Sequence, residues 1–197
     1  MNQGVHTVDL LVWFLGRPIE VSAHTALLAH EKIEVEDVAV ATVRFESGAL
    51  AVLHATTAAY PGLTVRLQVH GSRGSAIIDN DLLEYFHAAG GGHVQSDAGG
   101  ADDRAANQAV LHVAPSDLKG GERAADAFAR GHYRQYVDIV DAIRERRAPG
   151  VRVADALLSL AVVRSIYVSA TLGRPIPVDG VLSGEFDDID VSTEGIS

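Results

Sequence analysis

Four side chains near the start of the chain, Asn2, His6, Asp9 and Trp13, are separated by four, three and four positions. Those offsets place side chains on one stripe of an α-helix. The surrounding residues are apolar. Val5, Val8, Leu11, Val12 and Leu15 recur at helical spacing, while Leu10, Trp13 and Phe14 fill much of the remaining circumference, so the helix is expected to be largely buried. A polar stripe on such a helix is costly unless its groups are paired or face a cleft. A histidine in a cleft is the side chain most readily tuned to exchange a proton near neutral pH, which makes His6 the candidate acid–base group. The plainer alternative has Asp9 accepting a hydrogen bond from His6 or nearby backbone, both being satisfied core groups.

Other chemistry is weakly supported. Gly71-Ser72-Arg73-Gly74 and Gly90-Gly91-Gly92 resemble phosphate-cradling loops only in composition. Such a loop needs a strand before it and a helix after it, whereas the first run lies between strand patterns and the second among polar residues. No GxGxxG is present. The nine histidines are scattered, and neither His24/His30 nor His87/His93 has a carboxylate or histidine at a metal-ligand spacing. Ser159, Ser165 and Ser169 recur at spacings that suit close helix packing, outside any GxSxG context. His132 opens a later helical pattern beside Tyr133; it reads first as an end-of-helix histidine and is retained as a candidate substrate contact.

The elements that position these residues follow from periodicity. A first helix ends near Leu15, before Gly16-Arg17-Pro18. After an apolar link at 19–26, Asp37–Glu46 alternates as a strand, Glu46-Ser47-Gly48-Ala49 turns, and Leu50–Thr57 returns. Strands are also expected at Thr64–His70, Ser75–Asp79 and Leu82–His87, giving an antiparallel meander. Residues 88–106 read as a long polar excursion, with a possible returning strand at Ala109–Ala114 and a mixed loop at Pro115–Gly131. Helices are expected over His132–Arg147 and Ala154–Leu172. The order helix, strands, helices signals an α+β domain.

With 197 residues and no cysteine, the chain can build a core without disulfides or metal staples. Its net charge of −10 argues against nucleic acid as a partner. Glu185, Asp187, Asp188, Asp190 and Glu194 fall within 181–197, so residues 181–197 read as an acidic tail following a domain at 1–180. No secretory leader or bilayer-spanning stretch is read, and a cytoplasmic protein without membrane partners is expected.

MNQGVHTVDLLVWFLG at the start of the chain resembles the HxxDxxxWxxG signature of the glucose–fructose oxidoreductase/inositol dehydrogenase (Gfo/Idh/MocA) family. EDVAVATVRFESGALAVLHAT resembles the family's central hairpin, VHGSRGSAII its next strands, HYRQYVDIVDAI its penultimate helix, and SIYVSATLGRPIPV its closing helix and strand. The resemblance covers about residues 1 to 180. It implies the C-terminal substrate domain only: a mainly antiparallel open sheet with helices packed on one face, incomplete at its start, and lacking the N-terminal Rossmann domain with its NAD or NADP and its catalytic lysine. It further implies that His6 assists proton transfer from a substrate hydroxyl, with Asn2, His6 and His132 as substrate-binding candidates. Asn2 occupies a position often held by Asp, and an amide can hydrogen-bond a hydroxyl but cannot act as a base. Asp9 and Trp13 match positions that orient and pack the helix.

The expected function is therefore the substrate-binding and oligomerisation portion of an NAD(P)-dependent oxidoreductase acting on a sugar, cyclitol or related secondary alcohol. No cofactor is expected on this chain alone, which should be inactive in isolation. Self-association is expected through the open sheet face. The alternative is a non-catalytic association domain that has lost its cofactor half.

Overall fold

The computed structural model describes residues 4–89, 107–121 and 127–191. The chain divides into two compact units, one formed by residues 1–61 with 148–197 and the other by 62–147.

In the first unit, α1 (Gly4–Leu15) leads into β1 (Pro18–Ala26), β2 (Val38–Phe45) and β3 (Leu50–Thr56); later come α3 (Val153–Leu172), β7 (Ile176–Pro177) and the short α4 (Val178–Leu182). The sheet order is β3-β2-β1-β7, with each neighbouring pair antiparallel. The hairpin expected from the alternation of 37–57 is present, with Thr42 opposite Val52 and Arg44 opposite Leu50. Ala39, Ala41, Val43 and Phe45 are buried while Val40, Thr42 and Arg44 are exposed, the period-2 pattern of a sheet covered on one face.

The covering element is α3, which packs on β1. Its buried residues include Ser159, Ala161, Ser165 and Ser169, small side chains that suit close approach to Val21, Ala23 and Ala39 on the sheet. Asp155 in the first turn accepts the Arg152 N–H at 2.8 Å, and Gly173 ends the helix with φ +63, a conformation glycine adopts without a Cβ penalty.

Three expectations change here. The apolar link at 19–26 is β1, a central strand. Its inward residues Val21 and Ala23 are buried, but Ala, Ser, His and Thr give weak alternation. The first helix is not largely buried: Val8 and Leu11 are buried, whereas Trp13 is 75% exposed and stacks edge-on against Phe14 at 4.8 Å. The acidic segment beginning at 181 also contributes apolar surface. Phe186 is buried with Val168 and Ile176, and Val181, Ile189 and Val191 pack around them. Gly180 lies so close to this ring that a Cβ there would meet Phe186 Cε2 at 2.6 Å.

The second unit contains β4 (Arg66–Gly71), β5 (Gly74–Asp79) and β6 (Leu82–Ala88) in one antiparallel sheet, followed by α2 (Ala127–Glu145). The meander is thus split between two sheets. Residues 109–111 form a 3-10 turn rather than a returning strand, with Ala109 buried and the Gln108 N–H donated to Phe86 O at 2.7 Å. Lys119 joins the 115–121 loop to the sheet, donating to Asp79 at 3.0 Å and Glu84 at 2.9 Å. Of the polar excursion expected at 88–106, Ala88 ends β6 and residues 90–106 lie outside the described residues.

Candidate substrate-site helix

The α1 helix is held at three points, all within the first unit. Val8 and Leu11 bury its inner face, with α1 packed on α3. On its flank, Ser159 Oγ donates to Asp9 Oδ1 at 2.7 Å, linking residues 150 positions apart. At its end, Gly16 N–H returns to Val12 O at 2.9 Å with φ +90, Ser47 Oγ donates to Leu15 O at 2.9 Å, and Glu46 N–H donates to Arg17 O at 2.9 Å. Arg17 also pairs with Asp179 of α4. A carboxylate accepting a hydroxyl proton forms a short, charge-assisted bond, so Asp9 fixes the rotation of α1 about its axis.

That rotation leaves His6 exposed on the same side as Trp13. The stripe read from the sequence is real in spacing, but it lies at the solvent boundary, and the donor to Asp9 is Ser159 rather than His6 or local backbone. Asn2 lies outside the described residues. His132 is exposed on α2 in the second unit, one turn inside a helix that starts at Ala127 rather than at its opening.

Sequence reasoning missed a second polar centre in the first unit. Asp37, fully buried, accepts the N–H groups of Leu28, Ala29 and His30 at 2.8, 2.7 and 2.9 Å, and the His30 ring approaches it at 3.2 Å. Burial alone would raise its pKa. The backbone donors and the His30 side chain outweigh that and hold the carboxyl well below the usual carboxylate range. Next to it, Tyr167 of α3 donates to Glu36 at 2.8 Å; burial and the adjacent carboxylate push the phenol above its ordinary value. These contacts brace the segment between β1 and β2. The only advance signal was a pair of acids ahead of a strand.

Among the described residues, no group of three or more His, Asp or Glu side chains is placed to hold a metal ion. The glycine run at 71–74 is not followed by a helix. Gly71–Gly74 turns between antiparallel β4 and β5, and a Cβ on Gly74 would meet His87 O at 2.2 Å, so this glycine serves strand packing. Gly90–Gly92 lies outside the described residues.

Residues 1–77 match the GFO/IDH/MocA C-terminal domain family. An uncharacterised oxidoreductase YrbE of Bacillus subtilis is 36% identical over 84 residues, and a myo-inositol 2-dehydrogenase of Thermotoga maritima 33% identical over 84 residues. Each match covers 41% of this chain and 25% of the relative. In three dimensions, the WlbA dehydrogenase of Bordetella pertussis, solved in complex with NADH and UDP-GlcNAcA, overlays with a TM-score of 0.67 at 27% identity, covering 90% of this chain and 46% of that one. An oxidoreductase domain protein of Kribbella flavida gives 0.67 at 26% identity, covering 89% and 50%. The chain thus spans about half the length of these solved proteins and a quarter of the curated relatives.

Proposed function

We propose that this chain, whose first 77 residues match the GFO/IDH/MocA C-terminal domain family, is the substrate-binding and oligomerisation part of an NAD(P)-dependent oxidoreductase acting on a sugar, cyclitol or related secondary alcohol. The observation that carries the reading is the placement of α1: Ser159 and Asp9 lock the helix while His6 stays open to a solute. The substrate class is supported by the inositol and nucleotide-sugar names of its relatives.

In this reading the His6 imidazole takes the proton from the reacting hydroxyl. Asn2, as an amide, hydrogen-bonds a neighbouring hydroxyl without acting as a base. NAD or NADP belongs to a separate Rossmann domain. The protein works in the cytoplasm, without nucleic acid or membrane partners.

The oligomerisation part rests on the uncovered sheet face, where Leu50 is 75% exposed, Val52 76% and Val40 42%. An apolar face of this kind is the type of surface that meets a second copy in an isologous dimer.

The test joins the chain to a dinucleotide-binding domain of a relative and follows nicotinamide reduction with inositols and sugars. Turnover by the joined protein, with no saturable NADH binding by this chain alone, supports the reading. Saturable NADH binding by the isolated chain contradicts it.

A further inference from the structure

We propose that His70 and His87 form a two-histidine site for a divalent transition-metal ion on the three-stranded sheet of the second unit. The inference stands independently of the function proposed above.

The register builds the site. Ser75 of β5 lies directly opposite His70 of β4 on one side and His87 of β6 on the other. Directly paired residues in an antiparallel ladder project to the same face, so both imidazoles stand on one face with a serine hydroxyl on the strand between them. Two strand spacings separate the histidine backbones by about 10 Å. Two side chains leaning inward over the middle strand close that span around an ion held at about 2.1 Å from each nitrogen.

His70 leans that way. Its Nδ1 lies 3.1 Å from Ser75 Oγ, which turns an otherwise exposed ring toward the centre of the row. In the tautomer that donates Nδ1–H to the hydroxyl, the Nε2 lone pair is left for a cation. Metal-ligating histidines are held in this manner, the second ring nitrogen donating to a nearby oxygen that fixes the tautomer and raises the basicity of the ligating one. His87 is half-buried, and its main chain is set closely against β5: a Cβ on Gly74 would meet His87 O at 2.2 Å.

The donor set selects the ion. Neutral imidazole suits Cu²⁺, Ni²⁺ and Zn²⁺, with Cu²⁺ bound most tightly, whereas Mg²⁺ and Ca²⁺ take oxygen ligands. Two protein ligands leave the remaining positions to water, which makes the site open and exchangeable rather than a closed structural centre. The net charge of −10 adds a long-range attraction for a cation. A second cross-sheet pair, His24 and His54, flanks Val40, whose side chain offers no hydrogen bond to orient either ring.

Titration of the 197-residue chain with CuCl₂ at about pH 7.5, where the imidazoles are neutral, followed by electron paramagnetic resonance, tests this. The expected result is that the tightest site takes one Cu²⁺ with a hyperfine pattern of two imidazole nitrogens. H70Q and H87Q should each weaken that site at least about tenfold, and Ser75→Ala, which keeps both ligands and loses the orienting hydroxyl, by roughly tenfold. H24Q/H54Q should leave it unchanged. Circular dichroism records that each variant is folded, and the nitrogen count in the parent stands whether or not a variant folds. No saturable site, a pattern without two imidazoles, equal affinity in H70Q/H87Q, or a site lost in H24Q/H54Q instead would each overturn the proposal.

Discussion

Ser159 and Asp9, 150 positions apart, meet at 2.7 Å, and this bond joins the helix that carries His6 to the helix that covers the sheet. Ser159→Ala should destabilise the first unit by about 1 kcal/mol, the usual net worth of one hydrogen bond. Urea unfolding of Ser159→Ala, Asp9→Asn and the double variant measures it. Additive single effects would show that the two side chains are not coupled.

Ser169 is bonded to main-chain groups on both sides. Its hydroxyl accepts Ala23 N–H at 2.9 Å and donates to Arg174 O at 2.8 Å. β7 pairs with β1 only at Glu20 and Val21, so Ser169 serves the next buried donor along the strand. Ser169→Ala leaves that N–H without a partner at a cost of about 1–3 kcal/mol, more than Ser159→Ala, whose partner Asp9 is exposed and can turn to water. Thermal unfolding of the two variants should rank them in that order, and the reverse ranking would contradict the assignment.

Asp37 sets an acid dependence. Its carboxyl is held below the ordinary carboxylate value, so it contributes stability that is fully present above about pH 4 and is lost as pH falls further. Asp37→Asn should lower the thermal midpoint at neutral pH and flatten the loss of stability below about pH 4. Parallel pH profiles for parent and variant would remove Asp37 from the acid transition.

The periodic elements were legible in the sequence because their side chains alternate in size and polarity. The β2–β3 hairpin follows Ala39, Ala41, Val43 and Phe45, and the end of α1 follows Gly16. β1 was not legible as a strand, since its outward Ser22 and His24 and inward Ala23 differ little in hydrophobicity. The site was legible in part. The spacing of His6, Asp9 and Trp13 marks one stripe, but its position at the solvent boundary depends on α3. Ser159 could be read only as a packing residue, and Asp37 acquires its meaning from backbone N–H groups, which carry no side-chain signature.

The most direct measurement is the turnover of the His6→Ala variant in the protein joined to a dinucleotide-binding domain. At saturating substrate it should fall roughly 10²-fold or more, the scale of a lost acid–base group, with the unfolding midpoint held near that of the parent because His6 is exposed. Unchanged turnover per folded molecule, or a loss of stability that accounts for the lost activity, would contradict a role for His6 in proton transfer.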